Sequence, residues 1–170
     1  AIIDLSEILN CSNLNVSLDG SNSSTNSNSI DFQWINSLGN LISNDPQITV
    51  SLSGFYTLII TDPENGCTQS TQVEVLQNNE APIADVGENA VLTCDNTQAT
   101  LDGSNSIGDN LSFQWFDQNS ILIGNTDIMQ VNQAGDYTLI ITNQENDCMD
   151  STTINVALDD NIPTAIINFN

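Results

Sequence analysis

One pattern is written twice in this chain, and that repetition limits its folds more than any other feature. Leu18-Asp19-Gly20-Ser21-Asn22-Ser23 returns as Leu101-Asp102-Gly103-Ser104-Asn105-Ser106. Phe32-Gln33-Trp34 returns as Phe113-Gln114-Trp115, and Tyr56-Thr57-Leu58-Ile59-Ile60-Thr61 as Tyr137-Thr138-Leu139-Ile140-Ile141-Thr142. Cys11 and Cys67 map onto Cys94 and Cys148. The offset is 83 residues before Phe32 and 81 after it, so the first repeat holds two extra residues in its Ser/Asn-rich loop. A surface loop absorbs such a change at little cost. Pro82-Ile83-Ala84 maps onto Pro163-Thr164-Ala165, and 165–169 echoes 1–5. The expected organisation is therefore one repeat over 1–81, a second over 82–162, and the start of a third over 163–170, a window of a longer array. Short polar junctions closed by Pro82 and Pro163 predict stiff rather than floppy links.

Within each repeat the hydrophobic pattern has period two, and turn residues recur every 8–12 positions. Strands are expected near 7–10, 14–18, 30–35, 40–42, 47–52, 55–61 and 68–76. The second repeat repeats them near 90–93, 98–102, 111–116, 120–123, 127–131, 136–142 and 149–157. Seven short strands in about 80 residues predict an all-β, immunoglobulin-like antiparallel sandwich, built twice in tandem. Trp34 and Trp115 fall where such sandwiches bury a large aromatic. Tyr56 and Tyr137 follow Gly54-Phe55 and Gly135-Asp136 and mark candidate tyrosine corners. All four aromatics are assigned to the core, against a sugar-binding platform. In the Asp-Gly-Ser turns, Asp19 and Asp102 are expected to accept a bond from the backbone two residues on, and Gly20 and Gly103 to supply a positive φ.

Composition then narrows function. The chain has 22 acidic residues and no Lys, Arg or His, a net charge of −22. No basic patch exists to meet nucleic acid or anionic lipid. Histidine-based catalysis, His zinc sites, P-loop chemistry and Schiff-base lysines are excluded. Two carboxylates suffice for a glycosidase, but an ~80-residue sandwich leaves little room for a sugar cleft. No catalytic residue is assigned, and no enzyme is expected. No apolar run approaches the ~20 residues of a membrane span, so direct membrane insertion is not expected. Residues 1–10 do not read as a signal peptide, which suits a mature or internal segment.

Four cysteines allow three pairings. Repeat symmetry selects Cys11–Cys67 and Cys94–Cys148, one bond inside each repeat, the alternative being four free thiols. Oxidised cysteines predict a secreted or cell-surface location. No metal site is assigned; Asp102, Asp109, Asp159 and Asp160, with Asn110, are weak calcium candidates set against a solvated acidic surface. Asp150-Ser151-Thr152 has the form of an O-glycosylation acceptor.

The Leu-Asp-Gly-Ser-Asn-Ser signature, the Phe-Gln-Trp strand and the Gly-x-Tyr-Thr-Leu-Ile-Ile-Thr strand resemble the polycystic kidney disease (PKD) type of sandwich domain. Ala84-Asp85-Val86-Gly87 is similar to the opening strand of its bacterial members. The closest resemblance is to repeats in giant surface proteins of bacteria that use type IX secretion. The chain departs from the family after each tryptophan, where Ile35-Asn36-Ser37 and Phe116-Asp117-Gln118 replace Trp-Asp-Phe-Gly-Asp-Gly. The resemblance implies a stalk, spacer or adhesin module that works beside further copies of itself and self-associates. Two other readings compete: a module binding carbohydrate or protein through its loops, and an accessory domain of a secreted enzyme.

Overall fold

A computed structural model describes residues 1–25 and 29–161. The expected start of a third repeat, 163–170, lies outside the described residues. The chain divides into two compact units, Ala1–Glu80 and Ala81–Asn170.

The first unit contains β1 (Asp4–Leu5), β2 (Leu9–Asn10), β3 (Val16–Asp19), β4 (Asp31–Asn36), β5 (Leu41–Ser43), β6 (Gln47–Val50), β7 (Gly54–Thr61), β8 (Thr68–Val75) and β9 (Gln77–Asn78). Its two larger sheets have the orders β1-β3-β6 and β5-β4-β7-β8, and β2 and β9 form a third, two-stranded sheet. The second unit contains β10 (Ala90–Thr93), β11 (Ala99–Asp102), β12 (Leu111–Phe116), β13 (Leu122–Gly124), β14 (Ile128–Val131), β15 (Gly135–Asn143) and β16 (Met149–Asp159). Here β11 pairs with β14, facing a sheet of order β10-β16-β15-β12-β13. The fold is all-β, as the alternating pattern predicts.

The same pattern builds the core. In β7 the residues Tyr56, Leu58 and Ile60 are buried while Thr57, Ile59 and Thr61 are half-buried and Phe55 is exposed, and β15 does the same with Tyr137, Leu139 and Ile141 buried and Asp136 exposed. Leu18, Trp34 and Leu58 are fully buried at the centre of the first unit, and Leu101, Trp115 and Leu139 at the centre of the second. Each set joins side chains from both sheets, the arrangement that lets two half-apolar sheets hide one face each.

Each unit also holds a parallel pair among its described residues, a two-stranded sheet of its own in the first unit and the edge of the five-stranded sheet in the second. Strand β2 runs parallel to β9, with Asn10 beside Asn78, and β10 runs parallel to β16, with Thr93 beside Asp159. This pairing fixes where the cysteines lie. We call the end of each unit that carries the β7–β8 or β15–β16 hairpin turn its leading end, and the end where the last strand finishes its trailing end.

Candidate functional site

The Asp-Gly-Ser turn forms at equivalent positions in both units. Asp19 Oδ1 accepts the Ser21 N–H at 2.8 Å, and Asp102 Oδ1 accepts the Ser104 N–H at 2.9 Å. Bonds from the Ser21 side chain and backbone, then from Gln47, hold the Asp19 carboxyl below its usual range; Ser104 does the same to Asp102. The glycines act differently from expectation. Neither Gly20 nor Gly103 is among the residues of positive φ. A Cβ at Gly20 would lie 2.6 Å from Leu58 Cδ2 and 3.2 Å from Trp34 Cζ2; at Gly103 it would lie 2.7 Å from Leu139 Cδ2. Glycine is required there for space, because the turn lies directly on the core tryptophan and leucine.

The serine that closes the signature has a role the sequence did not disclose. Ser23 Oγ accepts the Ile2 N–H at 2.9 Å and donates to the Ile2 carbonyl at 3.2 Å. Ser106 Oγ makes the same two bonds with Asp85, at 3.1 and 3.3 Å. Each signature thus ties down the opening segment of its own unit. Recurrence of Ser23 as Ser106 was the available signal.

The aromatics sit in the core with their polar atoms satisfied. Trp34 Nε1 donates to the Asp45 carbonyl and Trp115 Nε1 to the Thr126 carbonyl, each at 2.9 Å. The Tyr56 hydroxyl donates to the Leu52 carbonyl and the Tyr137 hydroxyl to the Gln133 carbonyl, again at 2.9 Å. Burial raises both phenol pKa values, and the Asp117 carboxylate adds to the rise at Tyr137.

The cysteines depart from expectation. Cys67 and Cys94 are exposed free thiols, whereas Cys11 and Cys148 are disulfide-bonded. The bonds Cys11–Cys67 and Cys94–Cys148 are therefore not made. The parallel pairs explain why. Cys148 immediately precedes β16, while Cys94 follows β10 at the far end of β16. The 11 residues of β16 separate them by about 36 Å of extended chain. A disulfide needs Cα atoms within about 7 Å. In the first unit Cys67 precedes β8 and Cys11 lies beyond the Asn10–Asn78 pair, at the opposite end. Sequence symmetry identified equivalent cysteines correctly but carried no information on which end of a sandwich each occupies.

Both kinds of cysteine sit in braced turns. At the leading end, the Asp62 N–H donates to the Cys67 carbonyl and the Gly66 N–H to the Asp62 carbonyl; Asn143, Cys148 and Asp147 repeat this scheme. The Asn65 side-chain oxygen accepts the Cys67 N–H at 2.8 Å, and Asn146 accepts that of Cys148 at 3.0 Å. The recurring Glu-Asn-x-Cys of 64–67 and 145–148 was the signal for this turn. At the trailing end, Asn10 N–H donates to the Asn13 carbonyl around Cys11, and Thr93 N–H to the Asn96 carbonyl around Cys94.

The acidic candidates do not converge. Asp102 is committed to its turn, Asp159 Oδ1 accepts bonds from Asn161, and Asp109 and Asp160 are exposed. Among the described residues, no group of three or more acidic or cysteine side chains is placed to hold a metal ion. Asp150 of the glycosylation-like stretch accepts the Ala84 N–H at 2.8 Å.

One surface feature recurs that patterning did not single out. Strands β5 and β13 are sheet edges, and Leu41, Ile42, Leu122 and Ile123 on them are exposed, Leu41 at 55% and Leu122 at 51%. A register shift leaves Ile42 and Ile123 as bulged residues. The flanking stretches 35–44 and 118–126 contain no acidic residue.

No protein-family model matches the chain, and no curated protein matches it significantly in sequence. Solved structures do. Extracellular domains 3–5 of Drosophila OTK match over 93% of this chain and 62% of that one, with TM-score 0.50 and 12% identity. Three N-terminal domains of the bacteriophage RB49 highly immunogenic outer capsid protein match over 92% and 58%, with TM-score 0.49 and 14% identity. The PKD domain of the KIAA 1837 protein covers 52% of this chain and 97% of its own length, with TM-score 0.37 and 22% identity. The chain thus spans about three-fifths of the length of the first two. Together with the sheet order, the OTK likeness shows an immunoglobulin-like fold. No helix among the described residues is long and apolar enough to cross a membrane.

Proposed function

We propose that this chain is a building unit of an extracellular stalk or fibre used in attachment, of the kind found in the giant bacterial surface proteins its signatures resemble. It acts by repetition and self-association rather than by catalysis. The observation that carries this reading is that two units are built to one plan in fine detail. The braced aspartate turn, the serine tie, the tryptophan and tyrosine bonds and the cysteine turns all recur. Side-chain devices repeated so closely fit a module used many times in series.

The recurring edge supports lateral contact between copies. In a chain of charge −22 with no cation, two copies repel wherever carboxylates face each other. Strands β5 and β13 themselves carry no acidic residue and expose Leu41, Ile42, Leu122 and Ile123, so copies can approach there at lower cost. The bulges make continuation of the sheet by backbone pairing unfavourable, which leaves side-chain packing as the mode of contact. Disulfide bonding suits a secreted or surface location. Analytical ultracentrifugation of the purified chain tests the reading. Self-association that grows with concentration is expected; a strict monomer that binds on a glycan array would favour a lectin-type module instead.

A further inference from the structure

We propose that the outward face of the β5-β4-β7-β8 sheet, and the equivalent face of the five-stranded sheet in the second unit, dock on the same faces of a second copy of this chain. The inference rests on the self-association reading above and gives it a surface beyond the β5 and β13 edges.

The face follows from the alternation within the strands. Tyr56, Leu58 and Ile60 of β7 are buried, so Thr57 and Ile59 point away from the core. Cross-strand partners share a face. The register therefore sets Gln33 beside Ile59 and Ile35 between Thr57 and Leu41, with Ser70 and Gln72 on the last strand. The second unit repeats the surface. Gln114 stands beside Ile140 and Phe116 between Thr138 and Leu122, with Ser151 and Thr153 on the last strand. All of these side chains are uncharged.

That neutrality is selective. The chain carries 22 acidic residues and no cation. Among the described residues, the carboxylates on these faces stand at or next to strand ends, as Asp31, Glu74, Asp136 and Asp159. The outward face of the smaller sheet is different. There Asp4 lies directly opposite Asp19 in the first unit, and Asp102 closes β11 in the second. Two copies meeting through the smaller sheets would set carboxylate against carboxylate with nothing to offset them. Through the larger sheets they meet on hydroxyls, amides and apolar side chains. A cationic partner gains most at the acidic face, whereas the neutral face suits a surface equally free of charge, and a second copy supplies one.

The polar groups of the face are also prepared for cover. Gln72 Nε2 donates to Thr57 Oγ1 at 3.2 Å, and the Thr138 and Thr153 hydroxyls bond each other at 3.1 Å. Groups already bonded within the face cost less to remove from water. The contact is symmetric, the same patch on both copies. Four strands about 4.8 Å apart and about 27 Å long give roughly 500 Å² in plan, below the roughly 800 Å² per partner of a stable complex. Pairing through one face is therefore weak, and each chain carries two such faces.

Sedimentation equilibrium of the whole chain in about 150 mM sodium chloride tests this, with two double variants of equal charge. Gln33→Glu with Gln114→Glu puts a carboxylate near the middle of each proposed face; both residues are exposed and the change is nearly isosteric, so the fold should be retained. Thr49→Glu with Gln130→Glu adds the same charge to the outward faces of the smaller sheets. The first pair should weaken association about tenfold or more, since like charges meet across a symmetric contact. The second should change it less than about twofold, since exposed charges are screened. If the first pair lowers the thermal midpoint, Ser70→Glu with Ser151→Glu repeats the test from the exposed last strands. Equal weakening by both pairs would overturn the proposal, because net charge alone would account for it. Parent-like association in the first pair, with loss in Leu41→Glu plus Leu122→Glu, would sink this face and leave the edges as the contact. A strictly monomeric parent would sink the self-association reading itself. A monomeric parent retained on insoluble neutral polysaccharide, and released by the first pair, would assign the face to a glycan and overturn the copy-to-copy contact.

Discussion

At Gly20 and Gly103 an added methyl group has no room, because the turn backbone lies against Leu58 and Trp34 in one unit and Leu139 and Trp115 in the other. Gly20→Ala and Gly103→Ala should each destabilise their unit by about 1–3 kcal/mol, the usual cost of overpacking. A lowered urea midpoint would show it, and an unchanged midpoint would mean the turn can shift away from the core. The neighbouring aspartates carry a pH dependence. Hydrogen bonds depress the folded pKa of Asp19 and Asp102 below the unfolded value of about 3.9. Their stabilisation is therefore complete above that value and lost as pH falls through the folded pKa. Protonating the other carboxylates relieves repulsion and opposes the loss, so the informative quantity is the difference from a variant. Between pH 7 and pH 2.5 the double variant Asp19→Asn, Asp102→Asn should lose less stability than the parent, and equal losses would count against the turn carboxylates. Asp19 and Asp102 were legible from the Asp-Gly-Ser string because the side chain acts on its own neighbours. The role of the glycines was not, because the atoms that crowd them come from other strands, from Leu58 and Trp34 in one unit and Leu139 and Trp115 in the other.

Among the elements, the strands were easy to read from sequence and their partners were harder. Alternation in β7 and β15 announces a half-buried strand directly, since period two is a property of the strand itself. The parallel pairing of β2 with β9 and of β10 with β16 leaves no such trace, and it is this pairing that moves the two cysteines of a unit to opposite ends. Symmetry between repeats was therefore a sound guide to equivalence and a poor guide to bonding. The edge strands give the prediction that belongs at this scale. Placing a like charge on each apolar edge, as in Leu41→Glu with Leu122→Glu, should leave the fold intact because both residues are exposed. It should also reduce lateral association by at least about tenfold, a free energy near 1.4 kcal/mol. Sedimentation at several concentrations reads the change, and association equal to the parent's would remove β5 and β13 from the contact.

For the whole molecule, the absence of cations becomes a constraint on assembly. The two repeats are both acidic, with nine acidic residues over 1–83 and thirteen over 84–164, so neither offers a complementary surface to the other. Contact between copies must use uncharged surface or screened carboxylates, and screening reaches a Debye length of about 8 Å near physiological salt. An assembly built this way grows stronger as salt is added, the opposite of one held by ion pairs. The most direct measurement is electron microscopy of the oxidised chain in about 10 mM and about 150 mM sodium chloride. Assemblies that lengthen or bundle at the higher salt are predicted. Separate single particles at both salt concentrations, whatever the protein concentration, would contradict the account.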